Sequence, residues 1–257
     1  MKRVIKKIFG LFGYKIITSK VESDIANIGS DNRPVGSMKS LLEDLRERGL
    51  ICKTFVDIGA NNTMYSRMVK EVFPEADFCL IEPQIEMKNY LEEFCKDFKN
   101  SVYFLAGAGA KSDKMVLTIW DDLSGSSFLL DPDEELKNIG KQREVEIVTL
   151  DNLINDARIK LPELVKLDVQ GFELEALKGA EKTFGYTEVY ILEVSLFASD
   201  SPGMPIFSDV INFMLQRNYV VYDFPGFLRR PSDGALAQCD ICFVKSDGMF
   251  RKSNNWN

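Results

Sequence analysis

The 257-residue chain has no histidine. Its absence removes the commonest general base, the usual base of a nucleophile triad and the commonest transition-metal ligand. Proton transfer is left to carboxylate, lysine, tyrosine, cysteine or water. Cysteine is scarce as well: Cys52, Cys79, Cys95, Cys239 and Cys242 are odd in number and scattered through apolar runs, the usage of a reducing cytoplasm. Cys239 and Cys242 have C-x-x-C spacing, but residues three apart on a strand point to opposite faces, so they read as packing. Positive charge is in deficit. At a net charge of −7 a polyanion meets overall repulsion, and nucleic acid is not an expected partner. Nor is there the Asn/Asp-Pro-Pro-aromatic tetrapeptide of amino-directed nucleic-acid methylation.

An apolar share of 45% and a charged share of 28% are those of a globular protein. Residues 1–17 carry Lys2, Arg3, Lys6, Lys7 and Lys15 among apolar residues at helical spacing. That segment is too short and too charged to span a bilayer, and no small-residue cleavage site follows it. It reads as a helix packed on the domain or on a second copy of the chain, or as a basic helix lying on an anionic membrane. Residues 23–37 read as a linker. Ser37 is placed to cap a helix bearing Leu41, Leu42 and Leu45 that stops at Gly49. The expected division is an N-terminal helical appendage over 1–50 and a catalytic domain over 51–250, in the cytoplasm.

From residue 54 strand and helix patterns alternate: 77–82, 85–98, 102–105, 164–169, 173–184, 188–194 and 207–216, then two strands at 219–222 and 239–244. This predicts a mostly parallel sheet wrapped by helices and closed by an antiparallel hairpin. A β-insertion over 111–149 interrupts the rhythm, with strand-like runs at 114–120 and 144–149 around a polar loop, 121–143, long enough to cover a cleft.

The organising stretch is Thr54-Phe55-Val56-Asp57-Ile58-Gly59-Ala60-Asn61-Asn62-Thr63. A buried strand ends in an acid, breaks into a small-residue turn and feeds an amphipathic segment, the place where open α/β sheets bind ligands. A dinucleotide fingerprint needs further glycines where Asn61 and Thr63 stand. Asp57 would repel phosphate and attract a cation, which suits the ammonium and sulfonium of S-adenosylmethionine. Glu82 ends the second strand, where a carboxylate grips ribose hydroxyls. The small residues 106–110, with Gly107 and Ala108 among them, allow close backbone approach to an adenine ring.

The run Val165-Lys166-Leu167-Asp168-Val169-Gln170-Gly171-Phe172-Glu173 sets Lys166 and Asp168 on one face of a strand. Charges inside a sheet are costly unless paired or used. Glu193 ends the next strand. Asp168 and Glu193 on neighbouring tips could share a proton, hold a divalent cation such as Mg²⁺, bind substrate hydroxyls, or form an ion network with Lys166.

Val-Asp-Ile-Gly-Ala-Asn at 56–61, Lys-Leu-Asp-Val-Gln-Gly-Phe-Glu at 166–173 and Leu-Lys-Gly-Ala at 177–180 together resemble the FkbM-type methyltransferases. The likeness runs through Val148-Thr149-Leu150-Asp151-Asn152-Leu153, Glu193 and Asp240-Ile241-Cys242-Phe243-Val244. The resemblance implies a Rossmann-like class I methyltransferase fold with a seven-stranded sheet and helices on both faces. It implies S-adenosylmethionine as methyl donor and O-methylation of a sugar, glycan or natural product. Carried onto this chain, Asp57, Gly59, Ala60 and Asn61 form the first cofactor loop, Glu82 takes the ribose and Ala108 lies near adenine. With no histidine available, Asp168 is the expected base, assisted by Glu193, with Lys166 holding Asp168. Such loops usually carry glycine where Thr63 stands. Thr63 is therefore expected to narrow the turn or to be absorbed by the helix start. The alternatives are a nucleotide- or NAD-binding enzyme of the same topology and a relative that has lost catalysis.

Overall fold

The computed structural model describes residues 33–198 and 203–253. The described residues from 35 onward form one compact unit. The amphipathic segment 1–17, with its membrane and self-association readings, lies outside the described residues.

The first helix, α1 (Met38–Glu47), is capped by Ser37, whose hydroxyl accepts from the Ser40 amide, and it buries Leu41, Leu42 and Leu45. It leads through Gly49, in left-handed conformation, to β1 (Thr54–Ile58). Then come α2 (Met64–Val72), β2 (Asp77–Ile81), α3 (Lys88–Asp97) and β3 (Ser101–Phe104). After the inserted section the chain continues as α5 (Leu150–Asn155), β7 (Leu164–Leu167), α6 (Glu173–Lys178), β8 (Val189–Ser195), α7 (Phe207–Leu215), β9 (Tyr219–Arg229) and β10 (Leu236–Lys245).

The main sheet has seven strands in the order β3-β2-β1-β7-β8-β10-β9. The first five run parallel. β10 runs antiparallel to both β8 and β9. This is the Rossmann-like class I methyltransferase topology. The order reverses between β1 and β7, so their carboxyl ends open a crevice. β1 and β7 are buried at every position, as strands covered on both faces must be. Alternate residues feed two cores. Val56, Ile58, Val165, Leu167 and Leu192 enter one, and Phe55, Phe78, Leu164, Ile191 and the α1 leucines enter the other. Cys239 and Cys242 fall in opposite cores, and all five cysteines are free.

The inserted section forms β4 (Gly107–Ala108), β5 (Asp113–Thr118), α4 (Glu134–Asn138) and β6 (Gln142–Val148), a three-stranded sheet in the order β4-β6-β5. Two helices are shorter than their patterns. The run from 85 starts as a 3-10 turn, Ile85–Met87, before α3. α6 stops at Gly179, where a Cβ would stand 1.9 Å from the carbonyl oxygen of Gly109, the residue just after β4. The closing strands are longer than expected because the Pro225-Gly226 pair, a turn signal, lies inside β9.

Candidate active site

The turn after β1 is built from left-handed residues: φ is +83° at Gly59, +43° at Asn61 and +63° at Thr63. Gly59 is obligatory, since a Cβ there would meet the Asp168 carbonyl oxygen at 1.9 Å. The Gly59 and Ala60 amides donate to the Ile81 carbonyl at 2.9 and 3.2 Å, and the Asn61 amide donates to Glu82 Oε2 at 2.9 Å. Glu82 Oε1 accepts the Gln84 amide at 2.9 Å. Burial raises the Glu82 pKa, and these backbone bonds oppose the shift. Each Glu82 oxygen keeps a second lone pair, and the residue lines the crevice.

The crevice is a cavity of about 580 Å³. At one end Ala106, Gly107, Ala108, Leu117 and Phe128 make an apolar wall. Phe128, from the insertion, packs on Gly107 and lies 5.2 Å from the Phe172 ring. Asp122, Ser124 and Ser126 of the insertion and Leu228 of β9 complete the rim.

At the other end Lys166 Nζ meets Asp168 Oδ2 at 2.8 Å and lies 4.6 Å from the centre of the Tyr65 ring. Burial works against the Lys166 ammonium, but Asp168 and Asp57 outweigh it and hold its pKa above the ordinary lysine value. The Gln170 amide nitrogen donates to Asp168 Oδ1 and to Glu193 Oε1, each at 2.9 Å. Gln238, from β10, donates to the same Glu193 oxygen at 2.8 Å. Both Asp168 oxygens are thus engaged, whereas Glu193 Oε2 has no hydrogen-bond partner among the described residues. Burial, followed by the Asp168 charge, pushes the Glu193 carboxyl up to about 7.

The structure brings Gly59, Ala60, Asn61, Glu82, Ala108, Lys166, Asp168 and Glu193 to this one cavity. Asp57 stands one layer behind it. Its side chain is fully buried beside Lys166 on the adjacent strand, Oδ2 accepts the Ser66 hydroxyl at 2.6 Å, and burial lifts its pKa to about 6. Thr63 is also absent from the wall: its side chain is buried and it occupies the cap position of α2, so it does not narrow the cavity. Glu173 accepts the Gly171 and Val169 amides at 3.1 and 3.3 Å, a capping role, and burial pushes it up to about 7. A divalent ion bridging Asp168 and Glu193 does not fit, because the Gln170 amide already joins them and a cation there would face N–H donors. Among the described residues no group of three or more His, Cys, Asp or Glu side chains is placed to hold a metal.

Residues 57–221, more than half of the chain, match the model of the methyltransferase FkbM domain. The chain belongs to the FkbM methyltransferase family. No curated protein matches it. Among solved structures it is similar to a methyltransferase FkbM from Methylobacillus flagellatus KT, with 16% identity and a TM-score of 0.47 over 74% of this chain. The chain spans only 43% of that protein's length. It is also similar to a precorrin-6y C5,15-methyltransferase from Geobacter metallireducens GS-15, with 13% identity, a TM-score of 0.44, and 80% and 87% of the two chains covered. A third is the Aeropyrum pernix fibrillarin solved with natively bound S-adenosyl-L-methionine, with 10% identity, a TM-score of 0.42, and 79% and 74% covered.

FkbM-family membership and this fold are those of S-adenosylmethionine-dependent methyltransferases, and the cavity suits that cofactor. It has an apolar wall at one end, the Glu82 carboxylate in its lining, and the Asp168 and Glu193 carboxylates at the other end. Sequence reasoning had passed over Gln170, Gln238 and Phe128. Gln170 carried a signal, a residue before glycine in a strand-to-helix turn, and its own φ is +51°. Gln238, from β10, and Phe128, from the insertion, reach the site from far along the chain and carry none.

Proposed function

We propose that this chain is an O-methyltransferase that methylates a hydroxyl of a sugar, glycan or natural product in the cytoplasm. One observation carries the reading: Glu193 presents a carboxylate oxygen with no bond among the described residues in the cavity wall, while each Asp168 oxygen is already bonded. When bound, S-adenosylmethionine supplies a methyl group on a sulfonium, which departs as a neutral thioether. Glu193 Oε2 takes the proton of the attacking hydroxyl, and a carboxyl poised near neutrality is matched to that task. Gln170 and Gln238 hold the other Glu193 oxygen and fix the direction of Oε2. Lys166 and Asp168 anchor Gln170 in turn. The loop 59–62 and the insertion align the two reactants and exclude water, the main contribution an enzyme makes to such a displacement.

The wall supports a neutral hydroxylated acceptor. It presents Asn61, Asn62, Ser124, Ser126, Gln170 and Gln238, and Lys166 is the only cation among its described residues. Nucleic acid is therefore not the acceptor in this reading. The cytoplasmic setting rests on the five free cysteines. Among the described residues no helix is long and apolar enough to cross a membrane.

The test has two arms. S-adenosylmethionine should raise the melting temperature and NAD should not; the reverse outcome would favour a dinucleotide enzyme. Incubation of candidate glycans and small molecules with donor carrying a heavy methyl group, read by mass spectrometry, should place the label on oxygen. Label on nitrogen or carbon would refute O-transfer.

A further inference from the structure

Charge is distributed unevenly around the cavity. Glu82, Asp122, Asp168 and Glu193 line it against Lys166 alone among the described residues. Two more acids stand just behind: Asp57 on β1, paired laterally with Lys166, and Asp240 on β10, directly opposite Glu193 in the strand register. Asp240 is pressed against Gly226, where a Cβ would lie 2.0 Å from its Oδ2, so it cannot swing in that direction. Glu193 is therefore faced by Lys166 of β7 and Asp168 just after it, and by Asp240 and Cys239 of β10. Of these only Lys166 is cationic, and its ammonium is bonded to Asp168. The three carboxyls Glu193, Asp168 and Asp240 thus share a single cation. The cofactor carries a positive charge on its sulfonium, and the spent form, S-adenosylhomocysteine, does not.

We infer that Glu193 distinguishes fresh from spent cofactor by charge: it is ionised when the cationic form is bound and protonated when it is not, so that loading expels a proton. This rests on the cofactor and base roles proposed above. Glu193 then stands ready to accept a proton only when there is a methyl group to transfer. It keeps the proton it takes, because the sulfonium charge vanishes in the same step. Net charge in the cavity is the same before and after transfer, and the spent cofactor loses its electrostatic hold. A unit charge about 6 Å away in an effective dielectric of about 20 displaces a protonation equilibrium by roughly a hundredfold.

The experiment is isothermal titration calorimetry of the full chain with S-adenosylmethionine and with S-adenosylhomocysteine at pH 7, each in two buffers of different ionisation enthalpy. The buffer dependence gives the protons exchanged. Binding of S-adenosylmethionine should release a measurable fraction of a proton, because burial and the Asp168 charge favour the neutral Glu193 carboxyl in the free protein. Binding of the spent form should release almost none. The preference for the methylated form should grow as pH rises through 7, by roughly tenfold or more. Glu193→Gln keeps an acceptor oxygen for Gln170 and Gln238; it should bind both ligands and lose the difference in proton release. Equal release by the two ligands, or a difference that survives Glu193→Gln, would overturn the inference and leave the functional reading standing. No binding of either ligand would overturn both.

Discussion

Asp168 just follows β7 and Glu193 lies in the neighbouring β8, yet their hydrogen bonds give them different work. Lys166 and Gln170 each bond one Asp168 oxygen, and Glu193 keeps one oxygen with no bond among the described residues. In the proposed mechanism the base is therefore Glu193, and Asp168 anchors the amide that aims it. Replacing Glu193 by Gln should lower turnover at saturating cofactor by about 10²–10⁴-fold, read by steady-state rates. An active variant would remove Glu193 from the base role. Gly59→Ala tests the turn itself. Its Cβ would collide with the Asp168 carbonyl at a φ of +83°, so the substitution should destabilise the fold by more than about 2 kcal/mol, measured by denaturant unfolding. Thr63 shows how such a turn tolerates a residue glycine would suit better: it accepts a left-handed φ of +63° and a buried hydroxyl with no partner among the described residues.

At the scale of elements, the insertion brings Phe128 onto Gly107 at the apolar end of the cavity. Phe128→Ala should raise the cofactor dissociation constant about tenfold or more while leaving turnover at saturating cofactor within severalfold, separable by a titration of rate against cofactor. A fall in saturated turnover with unchanged affinity would place the acceptor, not the adenine, against this ring. The core strands and their helices were legible in the sequence because each strand of a parallel sheet is an apolar run between helical periodicities. So was the acid after the third residue of β1, though its depth was not: Asp57 lies inside the strand, and a pattern of letters does not separate a lining carboxylate from one a layer below. The reach of β9 and β10 was hidden by Pro225 and Gly226. The partners of Glu193 were hidden by distance, since Gln238 is 45 residues further along the chain.

The whole molecule stores several carboxyls in places that favour their neutral form. Burial raises Asp57 to about 6 and Glu173 and Glu193 to about 7. In the unfolded chain these groups lose their protons near pH 4, so between about pH 4 and 7 the folded state binds more protons than the unfolded one. The stability they lend is complete below the unfolded values and is lost as pH rises through the folded ones. Unfolding free energy should consequently fall by a few kcal/mol from pH 5 to pH 8, and Glu173→Gln, which keeps an acceptor for the Gly171 and Val169 amides, should flatten that slope in denaturant titrations. A flat profile in the unsubstituted protein would contradict the burial of these acids.

The position of β10 between β8 and β9 has a consequence for how this protein is made. A ribosome releases β8 and β9 first, and until β10 arrives each presents an open edge that any extended segment can adopt. The strand that fills the gap also delivers Gln238 to Glu193. Completion of the sheet and arming of the proposed base are thus a single late event, so a nascent chain stalled before residue 236 should be both aggregation-prone and catalytically silent.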